Sequence, residues 1–182
     1  ADGAVLQLAP GVAGGEWDES RYEFWNARVG DVVSDFVAFV DKLRSVNPKA
    51  RLIVTVSPVP LVATAANRHV LVSNTVSKAI LRAAADEVCA LRENIAYFPS
   101  YDLITFGPNA VKFYADDLRE VLEMGVNSVM RVFFAHFVEG GSAGAGVKHL
   151  TIVFMSRPSN DAERLARGAF DERPLRARRK AR

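Results

Sequence analysis

The run RLIVTVS at residues 51–57 decides the fold class. Leu52, Ile53, Val54 and Val56 are aliphatic and Thr55 is β-branched, so neither face of a strand built from them would be polar. A strand that is apolar on both sides is buried on both faces, which is the mark of a parallel sheet covered by helices. Pro58 and Pro60 follow at once and end the run, because proline withholds the N–H that a sheet ladder needs.

Helical periodicity flanks this strand on both sides. From Asp31 onward, Val32, Phe36, Val40 and Leu43 recur at steps of three and four, and Asn47-Pro48 stops the pattern. Downstream, Val76, Ile80, Ala84, Val88 and Leu91 predict a second helix over about 74–91. A short strand at 95–98 then leads into Pro99 and a loop. Leu118, Leu122, Val126, Val129, Phe133 and Phe137 predict a third helix over 117–138, and residues 150–155 could form another strand. Helix alternating with strand is the α/β order.

Two firm strands fall short of the four to six in a common sheet. The domain is therefore expected to be N-terminally incomplete, with further strands preceding Ala1. The opening ADGA has neither an initiating Met nor a signal-type apolar core. The first thirty residues, rich in Gly and Pro and then in Trp17, Tyr22, Phe24 and Trp25, suit a surface loop whose aromatic end packs on the core.

The 182 residues are 49% apolar and 24% charged, the composition of an ordinary globular protein about one domain long. The net charge of +2 hides an asymmetry. Residues 1–139 carry thirteen basic and seventeen acidic side chains, a net −4, whereas residues 140–182 carry ten basic and four acidic, a net +6. This divides the chain into a domain at 1–138 and, at 139–182, a Gly-rich linker with a basic tail expected to be disordered. No apolar run approaches the roughly 20 residues of a membrane helix. Cys89 is the only cysteine, so there is no internal disulfide; a reducing, cytoplasmic location is compatible.

Most candidate sites have an ordinary explanation beside the chemical one. The glycines at 140–146 lack both GxGxxG and P-loop spacing, so no nucleotide cofactor is expected, and three scattered histidines give no metal spacing. The tail, with Arg173, Arg176, Arg178, Arg179, Lys180 and Arg182, lacks interleaved aromatics, and a solvated run explains it better than nucleic acid does. His136 suits the polar side of the third helix. His69 follows the first strand, where α/β sites gather, although a structural role serves it as well. Ser57 ends the buried strand without a GxSxG elbow, and turn formation accounts for it. Asp117 and Glu120 could be the N-cap and N3 of the third helix, a capping-box-like pair, or part of an acid site.

Four runs occur in one order: TVSPVPLVAT (55–64), RHVLVSNTVSKAILR (68–82), YFPSYD (97–102) and FYADDLR (113–119). They resemble the GSCFA domain family, a bacterial group similar to SGNH or GDSL-type hydrolases. The resemblance covers residues 1 to about 138. It implies a flavodoxin-like three-layer α/β/α fold with a serine esterase-like site. In such a site an early Ser is the nucleophile, a Gly and an Asn help form the oxyanion hole, and a late Asp-x-x-His supplies the base and its orienting acid.

This sequence departs from that pattern twice. The Gly-Ser-Cys-Phe-Ala run that gives the family its name does not occur, and Glu120 stands where the late His is expected. Asp117 is the residue that carries over, and His69 is a substitute base from a neighbouring loop. The resemblance implies a small-molecule or glycan ester as substrate, with no activity for this chain alone; the alternative is a binding or scaffold domain that keeps the fold. A truncated sheet would also favour self-association.

Overall fold

The computed structural model describes residues 16–107, 110–138, 150–155 and 178–179. In chain order the elements are β1 (Tyr22–Glu23), α1 (Val29–Val46), β2 (Arg51–Val56), α2 (Val70–Leu91), β3 (Ile95–Tyr97), α3 (Ser100–Thr105), a 3₁₀ turn (Ala110–Phe113), α4 (Glu123–Phe137), β4 (Leu150–Met155) and β5 (Arg178–Arg179). The chain forms two compact units, one from residues 29–60 and 80–155, the other from 1–28, 61–79 and 156–182.

The first unit holds a parallel sheet in the order β3-β2-β4. Leu52 faces Ile95 and Val54 faces Tyr97 on one side of β2, while Arg51 through Val56 pair with Leu150 through Met155 on the other. The central place of β2 explains its composition. Every residue from Leu52 to Val56 is buried, as a strand with neighbours on both edges and helices on both faces requires.

Alternation along β2 sorts the core into two sides. Val54 and Val56 pack with Val33 of α1 and with Leu81, Ala84, Ala85 and Val88 of α2. Leu52 continues that side toward Val40 and Ala50. Ile53 points the other way, into a cluster with Phe98, Phe133 and Val138. The periodic stripe of α1 and the Val129, Phe133 and Phe137 part of the stripe on α4 thus cover the sheet, whereas Leu118, Leu122 and Val126, expected on the same face, are exposed.

In three places the elements differ from the sequence expectation. α2 starts at Val70, four residues earlier than expected. A short helix, α3, replaces the loop after Pro99. The strand expected at 150–155 does form and is the sheet's third. The largest difference is α4, which starts at Glu123 and not at 117. Leu118 has a φ of 55°, a left-handed conformation that cannot sit in an α-helix.

α4 crosses its neighbours closely at Gly125. A Cβ there would lie 3.0 Å from Val121 Cγ1, 3.1 Å from Phe113 Cβ and 3.2 Å from Ile104 Cδ1. Alanine favours a helix over glycine by about 1 kcal/mol, but overpacking costs about 1–3 kcal/mol. Gly125→Ala is therefore expected to destabilise the protein by about 1 kcal/mol net, a loss read as a lower urea midpoint at unchanged slope.

In the second unit β1 pairs antiparallel with β5, Tyr22 opposite Arg179 and Glu23 opposite Arg178. Of the aromatic end expected to pack, Trp17 and Phe24 are exposed while Tyr22 and Trp25 are partly buried; Trp17 lies beside Tyr22 with ring centroids 5.9 Å apart. The glycines at 140–146 and the tail other than Arg178–Arg179 lie outside the described residues. Among the described residues no helix is long and apolar enough to cross a membrane.

Candidate functional site

The carboxyl end of β2 gathers the polar groups of the first unit. Thr55 and Ser100 are buried with their hydroxyls 2.5 Å apart. The Thr55 hydroxyl donates to the Phe98 carbonyl at 2.8 Å, and the Ser100 hydroxyl donates to the Val56 carbonyl at 2.9 Å. Two buried hydroxyls thus bond carbonyls at the ends of adjacent strands and join β2 to the start of α3.

A loop stands over the same end of the sheet. Tyr114 pairs with Val121 in an isolated antiparallel bridge, the Ala115 N–H donates to the Glu120 carbonyl at 2.8 Å, and the Leu122 N–H donates to the Phe113 carbonyl at 2.8 Å. Inside this closure Asp117 Oδ1 accepts the N–H groups of Arg119 at 2.9 Å and Glu120 at 3.0 Å. The bond expected of a helix N-cap is present, yet it closes a turn. A short side chain that offers the backbone a local acceptor competes with helix formation in this way. These bonds, Glu120's first, hold the Asp117 carboxyl below the usual aspartate range.

The Tyr114 hydroxyl donates to the Pro58 carbonyl at 3.0 Å, two residues beyond the end of β2. That bond places the base of the loop at the sheet's carboxyl edge. Ligands of open parallel sheets bind at that edge.

On the side of α2, Arg82 lies over the Tyr97 ring at 4.1 Å and meets Asp102 Oδ1 at 3.5 Å, and the Tyr97 hydroxyl donates to Asp102 Oδ2 at 2.6 Å. Burial, together with the Asp102 bond, pushes the Tyr97 phenol upward; burial pushes Tyr114 up to about 12. A raised folded-state value means that these phenols contribute stability in full below about pH 10, the ordinary tyrosine value, and lose it as pH rises through the folded value. Unfolding followed by circular dichroism is thus expected to set in above about pH 10, and Tyr114→Phe to remove part of that alkaline sensitivity.

A family model described as the GSCFA family matches residues 2–133. The chain belongs to the GSCFA family. No curated protein and no solved structure matches it.

Within this GSCFA chain the four motif runs take distinct structural parts. TVSPVPLVAT supplies the end of β2 and the Pro58 carbonyl, and YFPSYD supplies Tyr97, Ser100 and Asp102. RHVLVSNTVSKAILR supplies Arg82, and FYADDLR supplies Tyr114 and Asp117. All four runs therefore meet through side-chain bonds in the first unit: Thr55 with the Phe98 carbonyl, Arg82 with Asp102, and Tyr114 with the Pro58 carbonyl. The Arg82–Tyr97–Asp102 group is absent from the sequence-based candidates. Its signal was the aromatic-to-acid step of five residues inside YFPSYD, which is legible only once β3 and α3 are known to turn at Pro99.

Of the expected site residues, Asp117 and Glu120 share the exposed loop, joined through the Glu120 backbone. His69 belongs to the second unit, where its Nδ1 accepts the Leu71 N–H at 3.2 Å and its carbonyl accepts the Ser73 N–H at 3.1 Å, so that it caps α2. Ser57 Oγ accepts the Val59 N–H at 3.3 Å, the turn bond expected of it. His136 is exposed on α4, and His149 lies outside the described residues.

Burial pushes the Cys89 thiol upward, away from the reactive thiolate. Among the described residues no group of three His, Cys, Asp or Glu could hold a metal ion. A cavity of about 130 Å³ lies at the opposite, amino end of the sheet, lined by Arg51, Leu52, Asn94, Ile95 and Phe137 among others. Its walls are mostly apolar and bring no set of polar groups together.

Proposed function

We propose that this GSCFA chain carries the acid-bearing part of an SGNH-like ester or acyl hydrolase domain, flavodoxin-like with three α/β/α layers. Asp117 is the acid that orients the base. One observation carries the reading. Asp117 is held in its charged form by two backbone N–H groups on a loop bonded to the carboxyl edge of β2.

An orienting acid works by accepting the N–H of an imidazole, which fixes the tautomer and stabilises the imidazolium formed when the base takes the nucleophile's proton. Both backbone donors reach Oδ1, and Oδ2 takes neither bond. It is the atom suited to that role. The family's Gly-Ser-Cys-Phe-Ala run is absent from the 182 residues, so this polypeptide by itself does not turn over esters. The substrate class is a small-molecule or glycan ester. Assay against p-nitrophenyl acetate tests this: turnover abolished by a serine-directed inhibitor would overturn the inactivity.

A second reading is favoured by Glu120 and His69. The residue in the family's base position is a carboxylate, and the histidine that could replace it is engaged as a helix cap. The domain would then bind or scaffold without catalysis. A longer polypeptide in which a Gly-Ser-Cys-Phe-Ala segment precedes residue 1 separates the two. Ester hydrolysis lost on mutating that Ser supports the enzyme, and none on any acyl substrate supports the scaffold.

A further inference from the structure

The Asp117 loop has little packing to hold it. Asp116, Asp117, Leu118 and Glu120 are all exposed, Leu118 at 64%. The left-handed Leu118 adds strain, since its Cβ is crowded against the following carbonyl in that conformation. An exposed, strained loop keeps one shape only if its base is fixed.

Tyr114 stands at that base and bonds in two directions. Its backbone forms the bridge to Val121, directly beside the Ala115–Glu120 bond that closes the loop. Its half-buried side chain reaches away from the loop to the Pro58 carbonyl at 3.0 Å. Pro58 is a firm anchor, because the ring restricts its φ and the buried strand β2 ends two residues earlier. We propose that Tyr114 is a positioning residue for Asp117, its hydroxyl pinning the 115–120 loop to the end of β2 and so setting where the carboxylate stands. Burial pushes the phenol's titration up to about 12, so that it is protonated, and hence a donor, across the neutral range.

The inference rests on the reading of Asp117 as the orienting acid, but its test needs no turnover. In the full chain, NMR would follow the Asp117 carboxyl titration and the exchange of the Ala115 and Leu122 amides in wild type and in Tyr114→Phe, which removes only the hydroxyl. The variant is expected to exchange those two amides roughly tenfold faster, the effect of losing one ordinary hydrogen bond. Its Asp117 titration is expected to move up toward the ordinary aspartate value. The Phe98 amide, bonded to the Val54 carbonyl at 2.8 Å, should keep its protection.

Unchanged loop amides and an unchanged titration would overturn the proposal. So would acceleration of Phe98 by the same factor, or a Phe variant that fails to fold, since either makes the hydroxyl a determinant of the whole domain. The functional reading fails separately: Asp117→Asn without effect on ester hydrolysis in a nucleophile-bearing polypeptide would sink it and leave the NMR result standing.

Discussion

Glu120→His, in a polypeptide where a Gly-Ser-Cys-Phe-Ala segment precedes residue 1, is expected to raise ester hydrolysis by about 10²–10⁴-fold, the contribution of a positioned general base. A carboxylic acid titrates near 4.3 and an imidazole near 6.5, so at neutral pH the imidazole is much the stronger base while still largely unprotonated. Position 120 already lies in the loop that holds Asp117, and Asp117 Oδ2 takes neither of the backbone bonds. If Asp117 has the proposed role, the new imidazole would therefore have its acid in the same loop.

The rate should rise with pH through the imidazole's titration and then level off, because the deprotonated ring is the active form. A neighbouring carboxylate favours the charged imidazolium and so shifts that rise above 6.5. Adding Asp117→Asn should cancel most of the gain, since an amide no longer fixes the tautomer. A Glu120→His variant with an intact circular dichroism spectrum and no gain in rate would favour the scaffold reading.

The strand at the heart of the fold was legible because burial on both faces leaves its mark on composition: aliphatic or β-branched at every position from Leu52 to Val56, with a proline close behind. The stripe of α1 and the Val129, Phe133 and Phe137 part of α4 were legible for the same reason, as each must be apolar where it meets the sheet. The start of α4 was not. Asp117 and Glu120 have the spacing of a capping box, and the bond between them forms. Whether such a bond opens a helix or closes a turn depends on the next backbone dihedral, and Leu118 gives no sign of its positive φ in a sequence.

The same limit applies to the site. Asp117 is proposed from its motif, but the Tyr114–Pro58 bond joins residues 56 apart, and the Thr55–Ser100 pair residues 45 apart. Such separations leave no local spacing to recognise. His69 was singled out because loops after strands gather sites, and the structure gives its ring the more common task of ending a run of unpaired N–H groups.

Phe133→Ala is expected to cost about 3–5 kcal/mol, the largest stability effect of any single change considered in the sheet's α4 side. Phe133 is buried among three other rings, edge-on to Phe98 at 5.3 Å and to Phe134 at 5.7 Å, and stacked on Phe137 at 5.5 Å. It shares its cluster with Ile53, the β2 residue that faces α4. Truncation would remove the transfer free energy of the ring and leave a cavity that three aromatic neighbours, fixed by their own packing, can only partly fill. Domains are stable by about 5–15 kcal/mol, so the loss would leave a substantial unfolded fraction on warming. Val126→Ala provides the contrast. That side chain is on the same helix but 47% exposed, and its truncation should stay within about 0.5 kcal/mol. Urea unfolding of both variants decides the matter: comparable midpoints would mean that α4 does not cover the sheet through Phe133, whereas a large gap between them locates the α4 side of the core on that ring.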